Sequence, residues 1–562
     1  MPLDVALANE QVVELMRAGK MREAEAICRQ VLAHAPGDTI AQLNLGAIAT
    51  SAAVLRARQG RLDEAEAIFR EALRLRPADP SAYANMALIV RQQGRPDEAI
   101  DWYRKAIAIG PNFPDPYNGL GSALRESGRI GEAVAAFRQA VAIDPSQREI
   151  HSNLVYAMQF DPDSSQEQTF AEHLNWGAKF AEPLRGQIAP HPNDRSPDRR
   201  LRVGYVSPDL CNHVVGWFME PILEHHDREA FEVFCYADVA QSDDMSARLQ
   251  QHCDAWRITA GQRDDQLAQL IREDGIDILV DLTLHMRNNR LAMFAYKPAP
   301  VQLTYLAYCG TSGMTAMDGC ITDPHLSPPG LHEQFFTERL LRLPDCYWCY
   351  RPSALAPPVD ALPASSRGFV TFGSLNSFAK VNDSVIETWS RILQSLPASR
   401  LILHVPGGDA NASARERVTK AGIDPARVTL VSHQARADYF ALYNQIDIVL
   451  DPFPYGGGTT SLDALWMGVP FITLSGRMPV GRAGVTLLSN LGLHDLIASS
   501  GEEYVRKAID LAGDLTRLAA LRGGLRARMN QSPLTDEPRF ARSLESLYRS
   551  AWRDWCAAAP AI

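Results

Sequence analysis

IDIVLDPFPYGGGTTSLDALWMGVPFITL, residues 446–474, decides the fold of the carboxyl-terminal half of this chain. It begins and ends with short runs rich in β-branched residues, IDIVLDPF and VPFITL, which are typical of buried strands. Between them, the glycines 456–458 precede two threonines at the start of a predicted helix. Two strands joined by a helix predict one unit of a parallel sheet.

The glycines of this stretch also carry a functional signal. The first turn of a helix leaves backbone N–H groups unpaired and holds the positive end of the helix dipole, which favours a phosphate site. A P-loop is excluded because the stretch lacks its Gly-Lys-Ser/Thr sequence. The alternative is a tight strand-to-helix turn with an N-cap and no ligand.

The same alternation of strands and helices extends over residues 201–474 and predicts two α/β halves. The predicted strands are LRVGYVS, FEVFCYAD, IDILVDLT and VQLTYLAY in the first half, and GFVTFGSL, RLILHV, RVTLVS, IDIVLDPF and VPFITL in the second. The proline-rich stretch 344–366 between them is a predicted hinge. A ligand is expected in the cleft between the halves, at the carboxyl ends of the strands.

The first third of the chain is a repeat array. Three Gly-Arg pairs recur at a spacing of 34 residues, as do three prolines, and alanines and aromatic residues precede each proline at fixed distances. This period predicts paired antiparallel helices and resembles the tetratricopeptide repeat. The repeated positions are Gly60, Gly94 and Gly128; Pro77, Pro111 and Pro145; Ala65, Ala99 and Ala133; Phe69, Tyr103 and Phe137; Ala72, Ala106 and Ala140.

An earlier unit of the array ends at Pro36, which is 41 residues before Pro77. Seven extra residues are close to two helical turns, so we expect a lengthened helix whose apolar face is not rotated. The alternative is a loop bulge, but the insert is rich in Ala, Leu and Arg, which favour helix.

Asparagines recur eight residues after the motif prolines, at Asn44, Asn85 and Asn153, and Gly119 stands at the third of these four positions. Asparagine is a poor helix former, so its recurrence on the first helix of successive repeats needs a reason. We interpret the three as a ladder that hydrogen-bonds the backbone of a bound peptide. Capping between repeats is the alternative.

Composition excludes several classes of function. The net charge of -10 and the pI near 5.8 argue against a nucleic-acid partner. The amino terminus does not resemble a signal peptide, and no apolar run approaches the roughly 18 residues of a spanning helix, so we expect a cytoplasmic protein without a membrane partner. Nine scattered cysteines do not predict a disulfide framework, and Cys346 and Cys349 lack a second ligand pair for a metal site.

Polar residues follow three of the predicted strands. Asp209 and His213 follow the first, where a carboxylate and an imidazole can deprotonate or hydrogen-bond an acceptor hydroxyl. Lys380 precedes a predicted helix start, where it can neutralise an anionic leaving group. The glycine-rich stretch offers Thr459 and Thr460 to a diphosphate and Asp463 to ribose hydroxyls. Structural or surface roles are the alternatives for each.

GYVSPDLCNH, KPAPVQLTYLAYCGTSG and DPFPYGGGTTSLDALWMGVPFITL, preceded by tetratricopeptide repeats, resemble the O-linked N-acetylglucosamine transferase family in a bacterial form. The resemblance spans nearly the whole chain. It implies a GT-B architecture of two facing Rossmann-like domains behind an α-solenoid. It also implies a transfer of N-acetylglucosamine from UDP-N-acetylglucosamine to protein Ser/Thr hydroxyls that is inverting and uses no metal or other cofactor.

The resemblance assigns roles to several residues. His213 matches the family's active-site histidine and Lys380 the lysine on the donor diphosphate. The other matching positions are Thr459 and Thr460 on the phosphates, Asp463 on the ribose, and Asn376, Leu306 and the loop from Cys309 through Gly310 to Gly313 around the donor sugar. The group that accepts the serine proton stays open between His213, Asp209 and the donor phosphate.

This sequence departs from the animal members of the family at several donor positions. Gly458 stands where they carry a histidine, and Cys309 where they carry a proline. Gln434 and Arg436 fall where the family reads uracil and ribose. Tyr439 replaces a histidine that stacks on the base, which its flat ring can also do, and Leu442 replaces an arginine.

The sequence predicts four segments: a repeat array with a capping helix at 1–160, a helical and proline-rich linker at 161–198, a first Rossmann-like domain at 199–355 and a second at 356–562. Two alternative functions remain. One is a UDP-hexose transferase, with glucose moved onto asparagine as one case. The other is a non-enzymatic repeat scaffold with a vestigial nucleotide site.

Overall fold

A computed structural model describes residues 3–558 of the chain. It divides into two compact units, Met1–Ile150 with Pro406–Arg415, and His151–Val405 with Glu416–Ile562. The first unit contains the predicted repeats. Its helices are α1 (Val5–Arg17), α2 (Met21–His34), α3 (Thr39–Arg58), α4 (Leu62–Leu75), α5 (Pro80–Gln92), α6 (Pro96–Ile109), α7 (Pro114–Glu126) and α8 (Ile130–Ile143).

The repeat positions have the structural roles that the spacing predicts. Gly60, Gly94 and Gly128 have φ between 72° and 78°, a left-handed conformation that lets the chain turn between the helices of a pair at little cost. The motif aromatics Phe69, Tyr103 and Phe137 and the motif alanines are buried between helices. The tetratricopeptide-like fold of this region is therefore confirmed.

The predicted lengthening of one repeat helix is also confirmed. α3 has 20 residues and α5 has 13, a difference of seven, and each begins at an aspartate N-cap, Asp38 and Asp79. By length and a mean hydropathy of 1.2, α3 is the one helix within residues 3–558 that could span a membrane. It packs against α2 and α4 as a member of the array.

The second unit contains two sheets and the helices that surround them. Its strands are β1 (Leu201–Ser207), β2 (Phe231–Ala237), β3 (Ala255–Ile258), β4 (Ile278–Asp281), β5 (Val301–Thr304), β6 (Gly319–Thr322), β7 (Arg339–Arg342), β8 (Thr371–Ser374), β9 (Arg400–His404), β10 (Val428–Val431), β11 (Ile448–Leu450), β12 (Phe471–Leu474) and β13 (Ile497–Ala498).

The remaining helices connect these strands or precede and follow the sheets. They are α9 (Arg148–Met158), α10 (Gln166–Phe180), α11 (Val214–His225), α12 (Asp244–Gln251), α13 (Asp264–Glu273), α14 (Leu291–Phe294), α15 (Pro363–Arg367), α16 (Asp383–Ser395), α17 (Ala410–Lys420), α18 (Arg436–Leu442), α19 (Thr459–Trp466), α20 (Ala483–Asn490), α21 (Gly501–Gly513), α22 (Leu515–Asn530) and α23 (Glu537–Ala557).

All strand pairs of both sheets are parallel. The first sheet has the order β3-β2-β1-β4-β5-β6-β7 and the second β10-β9-β8-β11-β12-β13. The central strands are apolar and buried on both faces, as parallel strands covered by helices must be. Two Rossmann-like sheets are therefore present, as the sequence predicts.

The last helix returns to the first sheet. α23 packs against α11 and β5, and its Tyr548 hydroxyl lies 3.2 Å from the hydroxyl of Tyr205 on β1. Glu545 of the same helix lies 2.9 Å from the Nδ1 atom of the buried His226. The two sheets are thus joined both by the stretch 344–366 and by the carboxyl-terminal helix.

Candidate active site

The carboxyl ends of β8 and β11, neighbours in the second sheet, bring together the glycine-rich stretch and the loop after β8. Asn376 follows β8, Lys380 ends a short 3-10 turn, and Asp451 is the first residue after β11. The glycine-rich stretch then leads into α19. The two loops meet because the carboxyl ends of parallel strands lie at one edge of a sheet.

The first turn of α19 has free backbone donors. Gly458 occupies the N-cap position and has no side chain to accept from them. The first backbone hydrogen bond of the helix runs from the Leu462 N–H to the Gly458 carbonyl. Within residues 3–558, the N–H groups of Thr459, Thr460 and Ser461 have no partner. This arrangement suits an anion, because three donors and the positive end of the dipole point the same way.

Asn376 adds a side-chain donor to these amides. Its side chain is 1% exposed, and its Oδ1 atom accepts a 2.7 Å hydrogen bond from the Thr460 hydroxyl. Its Nδ2 atom is buried and has no partner in the described part of the chain. A buried donor without a partner is costly, so this one indicates a ligand oxygen at the start of α19.

Lys380 supplies a positive charge beside the same loop. Its Nζ atom donates to the Gly456 carbonyl at 2.7 Å and lies 4.3 Å from the ring centroid of Tyr455. Burial lowers the pKa of Lys380 to about 8, and the negative charge of Asp451 opposes this shift. The ammonium is therefore partly desolvated, which strengthens its attraction for an anion.

Asp451 fixes the loop from beneath. Its buried carboxylate accepts hydrogen bonds from the Gly457 N–H at 2.7 Å and from the Thr473 hydroxyl at 2.8 Å. Burial raises the pKa of Asp451 to about 6. A Cβ atom on Gly457 would lie 2.3 Å from the Ser461 hydroxyl oxygen, so the loop can pass there only as glycine.

Asp463 lies on α19 in a network of tyrosines. One carboxylate oxygen accepts from the Tyr350 hydroxyl at 2.7 Å and the other from Tyr439 at 3.0 Å. The Tyr439 hydroxyl lies 2.8 Å from that of Tyr443, which donates to the Thr460 carbonyl. Burial raises the pKa of Asp463 to about 6. The Asp463 carboxylate, which we expect to contact ribose, thus already accepts hydrogen bonds from two tyrosine hydroxyls of the protein.

The first sheet presents Asp209 and His213 at the end of β1. The Nδ1 atom of His213 accepts from the Val215 N–H at 3.3 Å and caps α11, and it lies 3.7 Å from the Asp209 carboxylate. Burial raises the pKa of Asp209, opposed by His213. Because Nδ1 is an acceptor here, the neutral ring carries its proton on Nε2 and acts outward as a donor.

The loop after β5 carries the other expected donor-site residues of the first sheet. Leu306 is buried and has a φ of 64°, a strained conformation for leucine. Cys309 is half-buried, and desolvation raises the pKa of its thiol well above the ordinary value, so it is a neutral thiol near pH 7. A Cβ atom on Gly310 would lie 2.6 Å from the Tyr308 ring.

The structure also brings α18 to the first sheet. The guanidinium of Arg436 lies 3.7 Å from the ring centroid of Trp217 on α11, and the Trp217 indole donates to the Asn212 side chain beside His213. Gln434 is half-buried just before α18. Loops from both sheets therefore converge on one cleft.

Sequence reasoning missed Trp348 and Tyr350, both in the stretch expected to be a hinge, and the supporting role of Asp451. Tyr350 reaches Asp463, and the Trp348 ring lies against Gly458. Cys346 and Cys349 of the same stretch are buried. The available signal was the aromatic cluster CYWCY in an otherwise proline-rich linker.

The asparagines of the expected ladder lie on first helices of the repeats. Asn44 on α3 and Asn85 on α5 are half-buried in the first unit, and the Nδ2 atom of Asn44 has no partner within residues 3–558. Asn153 lies half-buried on α9, which belongs to the second unit. At Gly119, a Cβ atom would lie 2.3 Å from the Tyr103 ring, which explains the missing asparagine.

Comparisons with known proteins agree with this architecture. A model of glycosyl transferase family 41 matches residues 155–352 and 361–544, and tetratricopeptide-repeat models match residues 50–114 and 121–159. The O-GlcNAc transferase of Thermobaculum terrenum, solved as a point mutant, is 36% identical and superposes with a TM-score of 0.85 over 92% of this chain and 99% of that one.

Two curated plant proteins are similar to about two thirds or more of this chain. The probable UDP-N-acetylglucosamine--peptide N-acetylglucosaminyltransferase SPINDLY of Solanum lycopersicum is 40% identical over 418 residues, 73% of this chain and 45% of the relative. The protein SEC of Arabidopsis thaliana, with the same descriptive name, is 31% identical over 369 residues, 64% of this chain and 38% of the relative. The chain thus spans less than half the length of these relatives. The matched family model covers most of this chain, and the chain belongs to glycosyl transferase family 41.

Proposed function

We propose that this protein transfers N-acetylglucosamine from UDP-N-acetylglucosamine to Ser/Thr hydroxyl groups of protein acceptors. The observation that carries the proposal is the anion site at the start of α19, with free amides, the unpartnered Asn376 Nδ2 atom and the Lys380 ammonium. Family membership and the names of the relatives support the choice of donor.

The diphosphate of the donor is the proposed ligand of this anion site. Thr459 and Thr460 would donate backbone and hydroxyl hydrogens to it, and Asn376 would donate from Nδ2. The nucleoside would extend towards α18, where Gln434, Arg436 and Tyr439 lie, with Asp463 near its ribose. The sugar would then lie on the other side of the diphosphate, near Leu306, Cys309, Gly310 and Gly458.

Departure of UDP requires charge stabilisation, since a negative charge develops on the diphosphate as the glycosidic bond breaks. Lys380 and the helix amides provide it without the metal that other sugar transferases use. No group of three or more metal-binding side chains occurs within residues 3–558, and the proposed chemistry draws on none. The transfer is proposed to invert the anomeric carbon, by direct attack of the acceptor hydroxyl.

The acceptor hydroxyl is proposed to approach from the side of His213 and Asp209. With Nδ1 accepting from Val215, the neutral His213 ring offers Nε2–H as a donor rather than a base. This leaves the Asp209 carboxylate or a donor phosphate oxygen to accept the serine proton. Asp209 suits a base because its raised pKa increases its affinity for a proton.

The repeat array is proposed to hold the acceptor polypeptide. Asn44, Asn85 and Asn153 occupy equivalent positions on first helices, from which amide side chains can hydrogen-bond an extended backbone. The acceptors are proteins or peptides, and the location proposed for the reaction is the cytoplasm.

The proposal is tested by incubating the protein with a pool of acceptor proteins and separately labelled UDP-N-acetylglucosamine and UDP-glucose. We expect N-acetylhexosamine on serine or threonine, located by electron-transfer mass spectrometry. Transfer of hexose alone, or transfer to asparagine, would replace the proposed reaction by the alternative one. Absence of transfer from either donor, with UDP still bound, would favour a scaffold with a vestigial site.

A further inference from the structure

Trp348 lies against the start of α19. A Cβ atom built on Gly458 would lie 3.4 Å from Cζ2, 3.6 Å from Cε2 and 3.8 Å from Nε1 of the indole. The nitrogen-bearing edge of the ring therefore borders the N-cap of the helix. The indole forms a wall at the place where a side chain on residue 458 would begin.

The segment that carries Trp348 is held at several points. The Tyr347 N–H donates to the buried Asp323, the Tyr347 carbonyl accepts from the Tyr305 hydroxyl, and the Tyr350 N–H donates to the Leu534 carbonyl. The Trp348 ring packs edge-on against the Tyr347 ring at 4.9 Å. The indole is thus pre-positioned and is 7% exposed.

The indole nitrogen of Trp348 is a donor that the protein leaves unused. Within residues 3–558 it has no hydrogen-bond partner, and it is not among the fully enclosed polar atoms. Tryptophan N–H groups in well-packed positions usually find a partner. Because the Nε1–H of Trp348 is not fully enclosed, it is open to a bound molecule that would replace water as its acceptor.

The position of this donor limits what the molecule can be. A phosphate on the free amides of α19 would lie next to Gly458, so the group attached to that phosphate meets Trp348. In a nucleotide sugar this group is the sugar, whose C–H face packs on aromatic rings and whose oxygens accept hydrogen bonds. Cys309 lies beside Tyr347, so the dipeptide formed by Tyr347 and Trp348 also borders the loop after β5.

We propose that Trp348 is a specificity-determining residue for the donor sugar, with its ring against the hexose and its Nε1–H donating to a sugar oxygen. This inference rests on the proposed function, because it takes the anion at α19 to be the diphosphate of a nucleotide sugar. It goes beyond that function because it assigns recognition of the sugar to a residue of the stretch 344–366.

The test compares binding of UDP and UDP-N-acetylglucosamine by calorimetry in the wild type, Trp348→Phe and Trp348→Leu. Trp348→Phe removes the N–H and keeps a ring, so we expect UDP affinity to stay within about twofold while UDP-sugar affinity falls about three- to tenfold. Trp348→Leu also removes the ring, so its affinity for the UDP-sugar should fall further than that of Trp348→Phe. Trp466→Phe, at the other end of α19, is the matched control and should change neither affinity.

A second measurement follows the Trp348 indole signal in the unmutated protein and uses Trp348→Phe to assign that signal. Among the indole ¹⁵N–¹H signals of its nine tryptophans, that of Trp348 is identified by its loss in Trp348→Phe. We expect this signal to move on adding UDP-sugar by more than on adding UDP. If it moves equally with both, and both ligands bind Trp348→Phe as they bind the wild type, the inference is wrong while the proposed function stands. If neither ligand binds the wild type, the inference and the proposed function are both wrong.

Discussion

The Nζ atom of Lys380 lies 2.7 Å from the carbonyl oxygen of Gly456, so the cation of the site is attached to the loop that leads into α19. Asp451 holds the next residue of that loop by its N–H. The charge and the free amides of α19 are therefore held together on one surface, for which we propose an anion as ligand. Such a surface needs little reorganisation when negative charge develops, which is how preorganised dipoles and charges accelerate group transfer.

Replacement of Lys380 by methionine should abolish most of the transfer. The variant keeps the length of the side chain and removes the charge, so we expect kcat to fall about 10²–10³-fold with a smaller change in UDP affinity. Steady-state transfer with labelled UDP-sugar measures this. Lys420→Met, on the exposed end of α17, is the control and should retain wild-type rates. Equal rates in the two variants would remove Lys380 from the proposed mechanism.

The rate of transfer should depend on pH through the same lysine. Burial lowers the pKa of Lys380 to about 8, so the required ammonium is lost as pH rises through this value and kcat/KM falls on the alkaline side. The negative charge of Asp451 raises the pKa of Lys380, so Asp451→Asn should move this alkaline fall to lower pH.

Thr473→Val is the control for that shift, since it removes a hydrogen bond to Asp451 but keeps the carboxylate charge. Its alkaline limb should coincide with that of the wild type. A pH–rate profile that is flat between pH 7 and 9, or an Asp451→Asn profile identical to the wild type, would contradict the assignment of this limb to Lys380.

We expect that packing prevents an asparagine at position 119, where the proposed ladder has a glycine. A Cβ atom on Gly119 would lie 2.3 Å from the Tyr103 ring, so Gly119→Ala should destabilise the protein by about 1–3 kcal/mol through overpacking. Gly131, on α8, has open space around it, and Gly131→Ala should be neutral or stabilising by up to about 1 kcal/mol. Denaturant titration of the two variants decides between packing and helix propensity as the reason for the glycine.

The asparagine ladder itself is tested with acceptors of different length. Asn85→Ala combined with Asn153→Ala should raise KM for protein acceptors more than for short peptides that reach only the catalytic cleft. Gln92→Ala, on the exposed end of α5, is the control and should change neither KM. Equal losses with both acceptors would indicate that the asparagines act on the fold or the cleft.

The fold was largely predictable because its signals are local. Nine strands appear as short apolar runs, and the array appears as a 34-residue period with its glycines and prolines. β3, β6, β7 and β13 escaped prediction because each is very short or lies near a sheet edge, where charged residues such as Arg257 and Arg339 interrupt the apolar pattern.

The site was predictable in part. Lys380, Thr459 and Thr460 lie together, because strand ends and helix starts can be read from sequence. The tyrosine partners of Asp463 and the position of Trp348 depend on how the stretch 344–366 folds back onto α19, a long-range contact without a periodic signal. Gly458 is a position at which this sequence departs from the animal members of the family, beside the expected donor sugar. The Trp348 ring lies against this glycine.

A crystal structure of the protein with UDP would show directly whether the start of α19 binds the diphosphate. We predict diphosphate oxygens within hydrogen-bond distance of the Thr459 and Thr460 amides, the Asn376 Nδ2 atom and the Lys380 Nζ atom. UDP bound elsewhere on the second unit, or the start of α19 empty at saturating UDP, would contradict this prediction.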